Sequence, residues 1–96
     1  MKYTVNYFIK KFSRIPHSKW TTGVSNDGKG RRCALGHCTD TNSNKVTEIS
    51  SLFNIFYENN LVVSAVNDGV FTEIVFKGKH PRTRILNALR YIKRVS

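Results

Sequence analysis

The sequence predicts an α+β fold, on three observations. Apolar residues recur at helical spacing near both ends of the chain and in its middle. Two Asn-Asp-Gly triplets, at 26–28 and 67–69, lie beside β-prone runs. Pro16 and Pro81 fall where one helix must end and another can begin. The 96 residues suit a single domain over 1–96, and a hydrophobic content of 40% with six Phe, four Tyr and one Trp supplies a core.

In the first segment, Lys2 to Ile15, the residues Val5, Phe8, Phe12 and Ile15 share one helical face, with Lys10, Lys11 and Arg14 between them. Tyr3, Val5, Tyr7 and Ile9 also alternate, so a strand is the rival; the spacing and Pro16 favour an N-terminal helix. A first short β-hairpin is expected from Trp20–Ser25, turning at Asn26–Gly30 and returning through Arg31–Leu35. Gly36 to Asn44 is polar and reads as a loop.

Val46 to Tyr57 predicts a central amphipathic helix, with Val46, Ile49, Leu52, Phe53 and Phe56 on one face and Asn44 as its cap. Leu61–Val66 and Val70–Phe76 flank Asn67-Asp68-Gly69 and predict a second hairpin. Pro81 starts a last helix, whose stripe is Ile85, Leu86, Leu89 and Ile92.

Sixteen Lys and Arg against six Asp and Glu give a formal charge of +10. So large an excess repels itself in a compact state and points to an anionic partner. The charge is uneven: +5 over Met1–Trp20, +2 over Thr21–Arg32, −4 over Cys33–Phe76 and +7 over Lys77–Ser96. If the two terminal helices pack side by side, their outer faces make one basic surface. The candidate anion-binding residues are Lys10, Lys11 and Arg14 on the first helix, and Arg82, Arg84, Arg90, Lys93 and Arg94 on the last. Lys29, Arg31 and Arg32 form a second cluster in a glycine-containing loop, without the spacing of a phosphate-binding P-loop.

No apolar run is long enough to cross a bilayer, and the start of the chain lacks the features of a secretory signal. Two cysteines, Cys33 and Cys38, suit reduced thiols in a cytoplasm better than a disulfide framework. With His37 they place two thiols and an imidazole within six residues. Zinc needs four ligands, which only His17 or His80 could help complete, and a Cys–His nucleophile lacks an orienting third group. Neither a metal nor a cofactor is expected. Cys33, Ala34 and Leu35 read as small core residues.

The segments Cys33-Ala-Leu-Gly-His-Cys38, Val66-Asn-Asp-Gly69 and Pro81-x-x-Arg84-Ile-Leu-x-Ala-Leu89 together resemble a group of small bacteriophage and mobile-element proteins. The Phe8–Trp20 stretch fits the same pattern. The group brings no activity to carry over residue by residue. The resemblance implies a setting, the host cytoplasm, and a role as an anti-defence (anti-CRISPR-like) inhibitor. A basic chain does not mimic nucleic acid; it contacts RNA, target nucleic acid or an acidic patch on an effector.

The expectation is therefore a non-enzymatic binding protein that engages RNA or a ribonucleoprotein through a basic surface. Two alternatives remain open: a binder that sequesters a small signalling nucleotide, with Lys29, Arg31 and Arg32 on phosphates and His37 or Trp20 against the base, and a small Cys/His enzyme.

Overall fold

Thr4 opens the first helix from extended backbone, where its Oγ1 accepts the Tyr7 N–H at 3.2 Å. In the computed structural model, which describes residues 4–23, 27–38, 44–56, 62–71 and 77–95, α1 spans Val5–Ser13 and buries Phe8 and Phe12. A single 3₁₀ turn, His17–Lys19, follows Pro16. Four more helices come after it: α2 Ala34–Cys38, α3 Asn44–Phe53, α4 Val62–Asp68 and α5 Pro81–Val95.

One apolar cluster joins all five, with Phe8 and Phe12 from α1, Ala34 and Cys38 from α2, and Ile49 and Phe53 from α3. Val62, Val63 and Val66 of α4 and Ile85, Leu86, Ala88, Leu89 and Ile92 of α5 complete it. Trp20 is buried beside Phe12, ring centroids 5.4 Å apart, and its indole N–H donates to the Ile15 carbonyl at 3.2 Å. Burial on this scale lets short helices persist that would be marginal alone. Helices thus form near both ends and in the middle, the last starting at Pro81, although α3 takes in Asn44, expected as its cap, and ends at Phe53, short of Phe56.

The α+β expectation is overturned. Of the described residues 66% are helical, and none belongs to a strand. In place of the first hairpin there is one isolated bridge between Trp20 and Arg32, and it is parallel, whereas a hairpin pairs its strands antiparallel. The return segment Arg31–Leu35 instead runs into α2.

The second hairpin is replaced by α4, and the reason lies in Asn67-Asp68-Gly69. Gly69 has φ +76°, its N–H donates to the Val66 carbonyl, and the Val70 N–H donates to the Ala65 carbonyl. That pair of bonds is a Schellman cap: the triplet stops a helix rather than reversing a strand. Residues 61 and 72–76 of the expected second hairpin lie outside the described residues, as do 24–26 of the first.

Gly69 also lacks room for a side chain, since a Cβ there would stand 3.1 Å from the Arg84 guanidinium carbon. Gly69→Ala should therefore lose stability, by about 1–2 kcal/mol from the left-handed backbone alone. Urea denaturation measures it.

Candidate nucleic-acid interface

The cations that the sequence singles out separate into four groups by what their side chains do. The loop around Gly28 and Gly30 does form an anion-holding turn, but the anion is its own. Asp27 Oδ1 accepts the backbone N–H groups of Lys29 (2.8 Å) and Arg31 (3.1 Å), while Arg31 Nε donates to Oδ2. The Lys29 N–H foremost, with the Arg31 contacts, holds the Asp27 carboxyl below its ordinary range, against a partial loss of water that pushes it up. A phosphate here would have to displace that carboxylate. Lys29 is exposed and Arg32 half-buried beside it.

Arg82 and Arg84 point inward. Arg82 caps the end of α1: Nη2 donates to the Ser13 carbonyl at 2.8 Å and Nε to the Phe12 carbonyl at 3.4 Å. Its Nη1 meets His17 Nε2 at 3.1 Å, which makes that nitrogen the acceptor and His17 a neutral ring. Arg84 caps the end of α4, donating to the carbonyls of Val66, Asn67 and Gly78. Both act as positive charges at helix C-termini.

Arg90, Lys93 and Arg94 are exposed, with Arg94 resting 5.6 Å from the Tyr91 ring centroid. The terminal helices do pack against each other, and α5 begins where α1 ends. These three cations consequently sit about 12–18 Å further along α5 than Arg82. They form a patch of their own at the far end of the helix.

Lys10, Lys11 and Arg14 are brought together. They line a cleft of about 450 Å³ with Tyr7 and Ile15, and His37 of α2 contributes to its wall. None of the six lining residues is acidic, and among the described residues no carboxylate pairs with the three cations. Tyr7, Lys10, Lys11 and Arg14 follow the i, i+3, i+4, i+7 spacing of one helical face. That spacing would have found Tyr7 from sequence; His37 reaches the cleft only through the tertiary fold.

His37 is buried, with Nε2 3.0 Å from the Lys19 carbonyl and its ring edge-on to Trp20 at 4.8 Å. The Lys19 carbonyl can only accept, so Nε2 carries the proton. Cys33 and Cys38 are both buried thiols. His17 and His80, the remaining imidazoles, pair with each other at 4.7 Å. Among the described residues no three His, Cys, Asp or Glu side chains gather as a metal set would. Trp20 is a core residue, and Tyr91 stacks on Phe56 at 5.6 Å.

Loss of water, then Arg82, then His80 hold the His17 imidazole below its ordinary range. The unfolded chain therefore takes up the proton first as pH falls, so this contribution is full above about pH 6.5 and lost below it. Thermal melts at pH 7.5 and 5.5 should show a fall in the wild type that His17→Gln reduces. An equal fall in both proteins would remove His17 from the account.

Among the described residues, no helix is long and apolar enough to cross a membrane. Comparison of the chain with protein-family models, curated proteins and solved structures finds no match.

Proposed function

We propose that this is a non-enzymatic binding protein that engages RNA, alone or within a ribonucleoprotein, through the basic face of α1. The observation that carries the reading is the convergence of Lys10, Lys11 and Arg14 on one cleft without a carboxylate in its lining. Three cations held this close repel one another, and an anionic ligand relieves that repulsion. The exposed Arg90, Lys93 and Arg94 add a second contact for a longer strand. Resemblance to small phage proteins gives the binding a purpose, inhibition of an RNA-containing defence effector of the host.

Fluorescence anisotropy with a labelled single-stranded RNA, across a salt series, tests this. Phosphate contacts release counterions, so Lys10→Gln/Lys11→Gln/Arg14→Gln should weaken binding and flatten the log–log salt slope by about 2. Glutamine keeps the helix, and circular dichroism checks that the variant folds. An unchanged affinity and slope in a folded variant would overturn the reading.

A further inference from the structure

Outside the α1 cleft, three basic side chains meet where the end of α1 faces the start of α5. His17 Nε2 lies 3.1 Å from Arg82 Nη1, and the His17 and His80 rings stand 4.7 Å apart. Both histidines are exposed and Arg82 is half-buried. We propose that His17, His80 and Arg82 form an oxyanion site, suited to a phosphate group, that assembles when His17 takes up a proton. As an RNA contact it rests on the RNA-binding reading and adds a pH dependence to it.

The guanidinium is the fixed part. Nη2 donates to the Ser13 carbonyl and Nε to the Phe12 carbonyl, so Arg82 cannot leave His17 without opening the end of α1. With His17 neutral, Nη1 donates and Nε2 accepts. Protonation turns Nε2 into a donor as well. Two donors then face each other, with positive charge on both sides.

That arrangement relaxes in one of two ways. The imidazolium turns away into water, or an anion enters and accepts from both groups. A phosphate suits the second, because it has several acceptor oxygens and because guanidinium and imidazolium N–H groups give charge-assisted bonds. Loss of water first, then Arg82 of α5 and His80 just ahead of it, hold the His17 pKa down. On its own 3₁₀ turn the other cation is Lys19. Among the described residues no carboxylate pairs with any of the three side chains.

An anion held between these groups reverses their effect, since its charge favours the imidazolium. Binding therefore raises the His17 midpoint and takes up a proton. By linkage, affinity for the anion rises as pH falls from 7.5 to 5.5, across the ordinary histidine value of about 6.5. Arg14 stands three residues before His17, at most about 11 Å away along the chain, so the site adjoins the cations of α1.

Two sources supply a phosphate group here, an RNA backbone and a free ion, and two readouts separate them. The imidazole C2–H signals of the full chain are titrated by NMR in chloride and in sulfate at equal ionic strength. Sulfate is a tetrahedral oxyanion whose own charge is constant over this range, and His17→Gln and His80→Gln assign the signals. Sulfate should raise the His17 midpoint by about 0.5 pH, a gain of about threefold in proton affinity, and Arg82→Gln should abolish the rise. Binding of a labelled oligouridylate decamer, whose bases do not titrate here, is measured by anisotropy at pH 7.5 and 5.5. Affinity should rise about threefold in the wild type and stay level in His17→Gln. Circular dichroism at both pH values checks that each protein is folded.

The sulfate effect together with the RNA effect assigns the site to an RNA backbone. The sulfate effect alone assigns it to a free oxyanion, and either result supports the proposal. Equal His17 midpoints in the two salts overturn it, with the imidazolium turning into water instead. An equal rise in folded Arg82→Gln also overturns it, since the guanidinium would then take no part. Failure of the decamer to bind at either pH would remove the RNA-binding reading, while the sulfate titration would still decide the site.

Discussion

Asn67→Ala is expected to cost about 3 kcal/mol of stability, which in a domain of this size lowers the melting temperature by about 12–24 °C. The side chain is fully buried and joins three parts of the chain. Its Oδ1 accepts the Ala34 N–H at 3.0 Å, which caps α2 from a distance of 33 residues in sequence. Its Nδ2 donates to the Thr21 carbonyl at 3.0 Å and to Asp68 Oδ1 at 2.9 Å. Asp68 Oδ1 in turn accepts the Gly23 N–H at 3.1 Å.

Alanine leaves the Ala34 donor and the Thr21 acceptor without that partner and opens a void in the core. Asn67→Asp separates the two bonds, because it keeps the acceptor for Ala34 and loses the donor. Beside Asp68, a buried carboxylate there should titrate above its ordinary range. Protonation restores a donor, so the aspartate variant should recover stability as pH falls from 7 to 4, while alanine does not. An alanine variant within about 1 kcal/mol of the wild type would show that the network is not what holds these segments.

Arg84→Met should cost about 2–3 kcal/mol, because the guanidinium is the donor for a set of carbonyls that have lost their helix. Nη2 reaches the Asn67 carbonyl at 2.7 Å and Nη1 the Gly78 carbonyl at 3.0 Å. Nε is shared between the carbonyls of Val66, at 3.3 Å, and Asn67, at 3.2 Å. Burial pulls the Arg84 pKa down while Asp68 pushes it up, so the charge sits where it is partly desolvated and partly compensated.

Arg84→Lys should lose most of the same stability, since one ammonium cannot span three carbonyls in the geometry of a planar fork. On the proposed RNA-binding reading, Arg84→Met should, well below its melting temperature, bind RNA with the salt slope of the wild type. A reduced slope in the folded variant would mean that Arg84 meets phosphate after all, as its place among the sequence candidates supposes.

These two side chains also explain where the reading of the sequence went astray. Val62, Val63 and Val66 are β-branched and sit before Asn-Asp-Gly, which locally favours a strand and a reversal. The same residues fall on one helical face, and burial against α5 decides for the helix. Gly69 with positive φ serves a hairpin or a helix cap equally well. Nothing within the triplet distinguishes the two; Arg84, fifteen residues on, completes the cap by binding the carbonyls that α4 leaves open. At the first triplet the loop closes on Asp27, and residues 20 and 32 meet in parallel.

The candidate site was legible in part for a similar reason. Lys10, Lys11 and Arg14 lie on the face of α1 opposite Phe8 and Phe12, and helical periodicity places them there unaided. A cation count cannot tell an arginine that lines a cleft from one that caps a helix, so Arg82 and Arg84 looked the same as Arg14 in the sequence. The distinction depends on which carbonyls end up nearby.

By itself, then, the sequence determined the amphipathic helices near both ends and in the middle, the start of α5 at Pro81, and an excess of positive charge away from the acidic middle. These are properties of neighbouring residues and their spacing. The tertiary structure alone decided that the valine-rich segment is helical, that two arginines are spent on helix ends, and that His37 meets the α1 cations across a cleft. Each of those depends on groups far apart in the chain, and a backbone carbonyl or a buried face selects its partner only once the core has brought them together.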